Sequence, residues 1–86
     1  MFLITWTEEA FEQMHRIALQ YPHRNRRLSR ALRQMDAHLR DDPLGGSESR
    51  EDQNRICIVT PLTVYFTIDF EHDTVEITQV YFILKS

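Results

Sequence analysis

The sequence has 86 residues, enough for one domain with a single modest hydrophobic core and too few for two. Apolar residues make up 42% and charged residues 27% of the chain, and no apolar run approaches the ~18 residues that a membrane span requires. The net charge of −3 argues against general nucleic-acid binding, because the neutralisation of phosphates supplies most of that affinity.

Charge is divided unevenly along the chain. Residues 1–40 carry seven arginines against four acids, whereas residues 41–86 carry nine acids against three basic groups. Six arginines fall between Arg24 and Arg40, where they can share one helix face. Any contact with nucleic acid would therefore be local.

No targeting signal is visible. The opening stretch MFLITWTEE has no basic segment, and its apolar run is too short for a signal peptide. The single cysteine, Cys57, fits a reducing compartment. We therefore expect a cytoplasmic protein.

The chain opens with a predicted strand over residues 2–6, FLITW, rich in aromatic and β-branched residues. Thr7 is a good N-cap for the helix that follows, and Trp6 before it is placed to pack on Phe11 as a hydrophobic staple. The helix runs to Pro22. One apolar stripe is predicted to be buried: Ala10, Phe11, Met14, Ile17, Ala18 and Tyr21.

A second helix is predicted over residues 25–41, stopped by Pro43. Its apolar positions are Leu28, Ala31, Leu32, Met35 and Leu39. On the other side, near-helical spacing forms a basic stripe of Arg26, Arg30, Arg33 and Arg40. The stripe is either a solvated face or a contact surface for phosphate or an acidic partner.

Residues 45–55, GGSESREDQNR, follow no regular apolar pattern and are interpreted mainly as a connector. Three strand signals come after it: RICIVT, LTVYFTID and TVEITQVYFIL, joined by turn-like TP and DFEHD. The apolar phase of the last strand slips between Ile77 and Val80, which predicts a bulge near Thr78 and Gln79. Its end, VYFIL, is apolar on both faces, so it is either covered on both sides or meets a partner.

The element order predicts a single α+β domain over residues 1–86. An N-terminal strand and a helical hairpin precede a three-stranded antiparallel meander, and the helices pack on one face of the sheet.

Patterns for most kinds of chemistry are missing. The four histidines are scattered without recognised metal-site spacing, so neither a metal nor a cofactor is expected. Cys57 lies inside a strand pattern and is interpreted as a small buried hydrophobe. Arginine and tyrosine near the sheet suit metal-free RNA cleavage, where cationic donors stabilise charge on the phosphoryl oxygens.

Five segments carry a resemblance to a known family: ITWTEEAFEQM, ALRQMDAHLRDDP, GGSESR, LTVYFTID and TVEITQV. In this order they resemble the RelE/ParE family of type II toxin–antitoxin toxins over nearly the whole chain. The resemblance implies a helical hairpin on a twisted antiparallel sheet and a cognate antitoxin as partner. It also implies one of two targets: the ribosome and its mRNA in RNA-cleaving members, or DNA gyrase in ParE-like ones.

RNA-cleaving members carry basic residues on the central strands and a His, Arg or Tyr near the end of the last strand. Here Arg55 matches one basic position, Arg50 is a looser match, and Tyr81 is the candidate acid. Thr63 stands at the place of a further family arginine. Family His and Arg positions near the end of the chain correspond to Phe82 and Ile83, so most of the cationic set is missing.

Three functions follow as hypotheses. The first is a RelE/ParE-like toxin or toxin-derived protein that binds an antitoxin-type segment, with the ribonuclease site largely missing. The second is an active ribosome-dependent mRNA-cleaving toxin, and the third is a stand-alone homodimer joined through the last strand. Partner-binding residues are predicted at Arg26, Arg30, Arg33, Val80, Phe82 and Leu84.

Overall fold

A computed structural model describes residues 1–45, 48–49 and 54–83, and in it two helices pack on one face of a five-stranded sheet. The elements in chain order are β1 (Leu3–Trp6), α1 (Glu8–Gln20), a 3₁₀ turn (Pro22–Arg24), α2 (Asn25–Asp41), β2 (Glu48–Ser49), β3 (Arg55–Val59), β4 (Leu62–Asp69) and β5 (Thr74–Phe82). The predicted α+β architecture is confirmed. No helix among these residues is long and apolar enough to cross a membrane.

The strands lie in the order β1-β5-β4-β3-β2. β3, β4 and β5 form the predicted antiparallel meander, while β1 pairs in parallel with the first half of β5. β2 is an addition to the prediction, since Glu48 and Ser49 of the expected connector pair with Ile56 and Arg55. Two residues are too few for a period-two pattern, so the sequence carries no signal for this strand.

The predicted bulge lies at Thr78. Tyr65 is opposite Gln79 and Phe66 is opposite Ile77, so Thr78 is the extra residue on β5. Its hydroxyl donates a hydrogen bond of 3.2 Å to the carbonyl of Tyr65. The extra residue brings Val80 back to the helix-covered face after the slip in apolar phase.

The core lies between the helices and one face of the sheet. Its largest fully buried side chains are Phe66, Met35, Leu39, Leu62, Ile77, Val64, Val75 and Val80. From α1, Ala10 and Ile17 are buried. The prediction was wrong for Phe11, which is 65% exposed. Successive helical residues are rotated by about 100°, so Phe11 lies on the flank of α1 rather than on the side that faces the sheet.

The two faces of the sheet differ in cover. On the covered face Cys57, Val64 and Val80 lie under the helices. The opposite, open face has no helix on it among the described residues, and neighbouring strands place Ile58, Thr63 and Tyr81 in one row there.

Candidate partner-binding site

The open face of the sheet carries an aromatic pair. Tyr65 and Tyr81 meet edge to face with ring centroids 5.6 Å apart. The Tyr81 hydroxyl donates a hydrogen bond of 2.8 Å to Oε1 of Gln79. Tyr81 is thus exposed, and its hydroxyl is hydrogen-bonded to a neutral amide rather than to a base.

The two candidate ribonuclease residues that the structure describes, Arg55 and Tyr81, lie on opposite faces of the sheet. Arg55 is opposite Phe66, a core residue, so its side chain starts from the covered face, whereas Tyr81 lies on the open face. Arg50 lies outside the described residues. The structure therefore does not bring Arg55 and Tyr81 together, because a strand alternates its side chains between faces.

Thr63 occupies the middle of the open face. Its side chain is 7% exposed, and its hydroxyl oxygen is buried without a hydrogen-bond partner among the described residues. A buried hydroxyl without a partner costs about 1–3 kcal/mol. At the position where the family resemblance implies an arginine, this chain therefore has the small, buried side chain of Thr63.

An apolar groove runs between the two helices on the outer surface. We call it the helix groove. Its volume is about 410 Å³, and it is lined by Trp6, Phe11, Met14, His15, Ala18 and Leu32. His15 is the single polar side chain in the lining. Trp6 and Phe11, predicted to form a staple, both belong to this lining, and the outward-facing ring of Phe11 forms one wall.

The predicted partner residues on β5 lie elsewhere. Val80 is 2% exposed, and Phe82 is half-buried with its ring stacked on Tyr21 at a centroid distance of 4.2 Å. Both line a shallower cleft of about 270 Å³ between α1 and the end of β5. The outward side chains of this strand end are instead Tyr81 and Ile83. Leu84 lies outside the described residues.

The predicted basic stripe on α2 divides into two parts. Arg40 forms an ion pair of 2.8 Å with Asp36 one turn before it. Arg26 and Arg30 belong to a concave surface of about 360 Å³, which we call the arginine cluster, lined by His23, Arg24, Arg26, Arg27 and Arg30. None of these five side chains forms an ion pair among the described residues.

Arg33 lies on α2 between these two parts of the stripe and does not line the helix groove. Relative to Leu32, which lines the groove, Asp36 is rotated by about 40° and Arg33 by about 100° around the helix. Arg33 is exposed and therefore lies on the outer side of α2.

Two further groups of chemistry-bearing side chains have local explanations. Cys57 is 3% exposed, and burial raises the pKa of its thiol, which keeps it neutral and unreactive. Asp69, Glu71 and His72 lie close together but exposed. There Asp69 Oδ1 accepts hydrogen bonds from the N–H groups of Glu71 and His72, and its Oδ2 accepts from His72 Nδ1 at 2.8 Å. This is a hairpin turn closed by an aspartate.

No family model and no curated protein matches the sequence. Among solved structures, the RelBE2 toxin–antitoxin complex of Mycobacterium tuberculosis contains a chain that superposes with a TM-score of 0.76 at 22% identity, over 94% of this chain and 96% of that one. The chromosomal ParDE toxin–antitoxin system of P. aeruginosa gives 0.74 at 15% identity, over 98% of both chains.

The chain has a RelE/ParE-like toxin fold. A third structure with this fold is the solution structure of HP0894, a conserved hypothetical protein from Helicobacter pylori. It has a TM-score of 0.59 at 12% identity, over 93% of this chain and 92% of that one. At these identities the comparisons establish the RelE/ParE-like fold alone.

The helix groove was missed at the level of sequence because its apolar residues were assigned to the core. A signal was present, since the apolar residues of α1 span more than one helix face. Ala10 and Ile17 face the sheet, whereas Phe11 and Ala18 are each rotated by about 100° toward α2. Such a wide apolar arc indicates a helix that covers the core and has a second apolar contact surface.

Proposed function

We propose that this chain is a RelE/ParE-like toxin or toxin-derived protein that acts by binding a partner. The partner is an antitoxin-type segment that folds as an acidic amphipathic helix and occupies the helix groove. The observation that carries the proposal is the groove itself, an apolar concavity between two helices with the ring of Phe11 turned outward.

Apolar exposure supports a docking role. A helix of a monomer normally turns its large aromatic side chains toward the core, and Phe11 instead stays 65% exposed beside Trp6, Met14 and Leu32. Grooves of this kind receive the apolar face of a partner helix, whose anchors follow three-and-four spacing. Burying one such aromatic ring contributes about 1.5–3 kcal/mol.

Charge supports an acidic partner. Arg33 forms no ion pair among the described residues and is exposed on α2, about 100° around the helix from Leu32. A helix that buries its apolar face in the groove brings its flank next to Arg33. Acidic side chains on that flank form charge-assisted hydrogen bonds with the guanidinium, whereas basic ones are repelled.

The structural neighbours support the same kind of partner. Two of them belong to toxin–antitoxin systems, and one is a toxin–antitoxin complex. The proposal extends to this chain the toxin–antitoxin association that the names of those structures describe. In this proposal, a continuation of the antitoxin-type segment occupies the cleft at the end of β5, which Val80 and Phe82 line.

Co-expression of the tagged chain with the protein encoded by the neighbouring reading frame, followed by size-exclusion chromatography, tests the proposal. The expected result is one co-eluting complex. Phe11→Asp places a carboxylate in the groove and should abolish co-elution. Leu19→Asp is the matched control, because Leu19 is 68% exposed on the same helix and does not line the groove.

The control should elute with the partner as the native chain does. A native chain that elutes alone would overturn the proposal. Retention of the complex by Phe11→Asp would overturn the assignment to the helix groove. Both variants change exposed positions, so circular dichroism should report the same fold and unfolding temperature within about 3 °C.

A further inference from the structure

We infer that the outer edge of β5 docks an acidic polypeptide segment in an extended conformation, which pairs with the backbone of Phe82 and places its carboxylates on the arginine cluster. The inference deepens the proposed function and rests on it only for the existence of a partner. It states the conformation and the charge of the part that occupies the cleft at the end of β5. A synthetic peptide tests it, so its outcome is separate from that of the co-elution test.

The outer edge of β5 has backbone groups without a partner. β1 pairs only with the first half of β5, so among the described residues the second half has no neighbouring strand on that side. The N–H of Ile83 donates to the carbonyl of Pro61 and thus faces β4, whereas the N–H of Val80 points outward to a side chain of α1. Backbone groups alternate in direction along an antiparallel pair, so the N–H and C=O of Phe82 also point outward. No described residue bonds to them.

This edge is accessible from the cleft of about 270 Å³ between α1 and the end of β5. The lining of the cleft includes three consecutive residues of the strand, Val80, Tyr81 and Phe82. Successive side chains of a strand point to opposite faces of the sheet, so a concavity that touches all three extends around the edge of the strand. A peptide in the cleft can therefore pair with Phe82 as an added strand.

The charge around this edge is uncompensated. Arg16 lines the cleft, and Arg24 lies over the ring of Phe82 at 6.0 Å from its centroid, which joins the cleft to the arginine cluster. Neither concavity has an acidic side chain in its lining. The acid that follows the cluster on α2 is Asp36, and it is already paired with Arg40 at 2.8 Å. A segment that runs past Phe82 thus meets guanidinium groups that form charge-assisted hydrogen bonds with carboxylates.

The position of the arginine cluster works against folding. Arg26 and Arg27 lie in the first turn of α2, and that turn contains no acid and no side-chain cap. The helix dipole is positive there, so it stabilises an anion and destabilises a cation. Repulsion among neighbouring guanidinium groups adds to this cost. The stability of the fold therefore does not explain the cluster, whereas an acidic partner does.

The open groups at this edge match a polypeptide better than a nucleic-acid strand. Strands of nucleic acid stack their bases on free aromatic faces. Here the rings of Tyr21 and Phe82 stack on each other at a centroid distance of 4.2 Å, and Tyr81 meets Tyr65 edge to face. What stays open is a backbone donor and acceptor beside guanidinium groups. Peptide groups and carboxylates are their complements.

The last strand of a second copy does not fit this edge. Two copies paired antiparallel through Phe82 would place residues 77–86 of one chain along the same residues of the other. These residues contain no acid and carry Lys85, so their charge would add to that of the arginine cluster instead of compensating it. The occupant is thus a different, acidic chain.

Fluorescence anisotropy of a labelled nine-residue peptide, four glutamates followed by alternating threonine and valine, tests the inference in a titration with the full chain at 50 mM salt. We expect the native chain to bind the peptide. Arg24→Gln and Arg27→Gln should each weaken binding by about five- to tenfold, the loss for one partly exposed charge-assisted hydrogen bond. Arg40→Gln is the matched control, with the same change in charge on α2 outside both concavities, and should bind within about twofold of the native chain.

Hydrogen exchange followed by nuclear magnetic resonance tests the strand pairing itself. The amide of Phe82 should exchange at least about tenfold more slowly when the chain is saturated with peptide, because its N–H gains an acceptor. The amide of Ile83, which is bonded to Pro61 in the free chain, should change far less. No binding by the native chain, equal affinities for the three variants, or unchanged exchange at Phe82 in the bound state would overturn the inference.

Competitors decide the class of occupant. A peptide with lysines in place of the four glutamates should not compete, and a five-nucleotide RNA of equal charge should displace the labelled peptide at least about tenfold less well than the unlabelled peptide. Equal displacement by the RNA would reassign the edge to a nucleic acid, and a dimer that the peptide dissociates would reassign it to a second copy. Either result overturns the inference.

The two proposals fail in different ways. Loss of peptide binding with an intact co-eluting complex would overturn this inference alone. A chain that binds the peptide but elutes without the protein of the neighbouring reading frame would overturn the proposed function alone.

Discussion

The two helices begin in opposite ways. Thr7 caps α1 with its hydroxyl, which accepts a hydrogen bond of 3.1 Å from the N–H of Ala10, and two glutamates fill the first turn. α2 begins from a 3₁₀ turn with no side-chain cap and with arginines in its first turn. The first helix follows every rule that stabilises an N-terminus, and the second breaks them.

The contrast separates folding from binding. At the start of α1 the Thr7 hydroxyl has partners inside the molecule on both sides, since it also donates to the carbonyl of Thr78 at 3.3 Å. At the start of α2 the charged groups have none among the described residues. A region whose polar groups have partners inside the molecule is explained by its contribution to stability. A region whose charged groups lack such partners is where an external ligand gains most binding free energy.

Thr7→Ala should have the largest effect on stability. The substitution removes the cap of α1 and the hydrogen bond to β5, and it should lower the free energy of unfolding by about 1–2 kcal/mol. Urea denaturation followed by circular dichroism measures this. Thr7→Ser keeps the hydroxyl and should stay within about 0.5 kcal/mol of the native chain. An unchanged midpoint for Thr7→Ala would remove the contrast between the two helices.

Arg27→Gln should act in the opposite direction. Removing one cation from the first turn of α2 should raise the free energy of unfolding by about 0.5 kcal/mol. Arg33→Gln, beyond the first two turns, should leave it unchanged in the same denaturation experiment. Since Arg27 also belongs to the arginine cluster, a gain in stability would show that this charge does not serve the fold. A loss of stability would show that α2 needs Arg27 to fold.

Glu9→Gln should have a smaller effect. The charge of Glu9 interacts with the dipole at the start of α1, and its removal should cost about 0.3 kcal/mol. Glu12→Gln lies beyond the first turn, where this interaction has fallen off, and serves as the control. Thermal unfolding at low salt should separate the two variants by about 1–2 °C, and 1 M sodium chloride should bring them together. An equal loss of stability in Glu9→Gln and Glu12→Gln would mean that the effect comes from the change in net charge and not from the helix dipole.

The weakest effect should come from Asp69, at the end of the molecule opposite to the arginine cluster. The hydrogen bond from the His72 side chain holds the pKa of the Asp69 carboxyl below its usual value. The carboxylate is thus favoured in the folded loop. Its contribution is present above the usual carboxyl range and is lost as the pH falls through the lowered pKa.

Nuclear magnetic resonance can follow this titration through the amide shifts of Glu71 and His72, whose N–H groups donate to Asp69. We expect a midpoint below about 3.9, the ordinary aspartate value, and its disappearance in Asp69→Asn. A midpoint at or above that value would mean that the loop does not stabilise the ionised form of the Asp69 carboxyl.

Local patterns predicted most of the fold. Thr7, the apolar spacing of α2 and the phase slip before Val80 are each read from a few adjacent residues, and the structure bears them out. Pairing of β2 with β3 was beyond such reasoning, because Glu48 and Ser49 show no pattern of their own. The order of the strands also depends on contacts between distant segments.

Sites were harder to predict than elements, because a site depends on which face each residue takes. Arg55 and Tyr81 look like one set along the sequence, and alternation along the strands puts them on opposite faces. Spacing on α2 put Arg26 and Arg30 on one stripe but did not include Arg27 or Arg24, which also line the arginine cluster.

Gln13 satisfies a backbone donor at the edge of the sheet. β1 pairs with β5 only as far as Ile77, so among the described residues the second half of β5 has no neighbouring strand on that side. There Oε1 of Gln13 accepts the hydrogen bond of the Val80 N–H at 2.8 Å, in the position that another chain's carbonyl would take. An exposed strand edge is a template for aggregation. The Gln13 side chain occupies one donor of that edge, so the helix that lines the groove also satisfies part of the sheet's hydrogen-bonding potential.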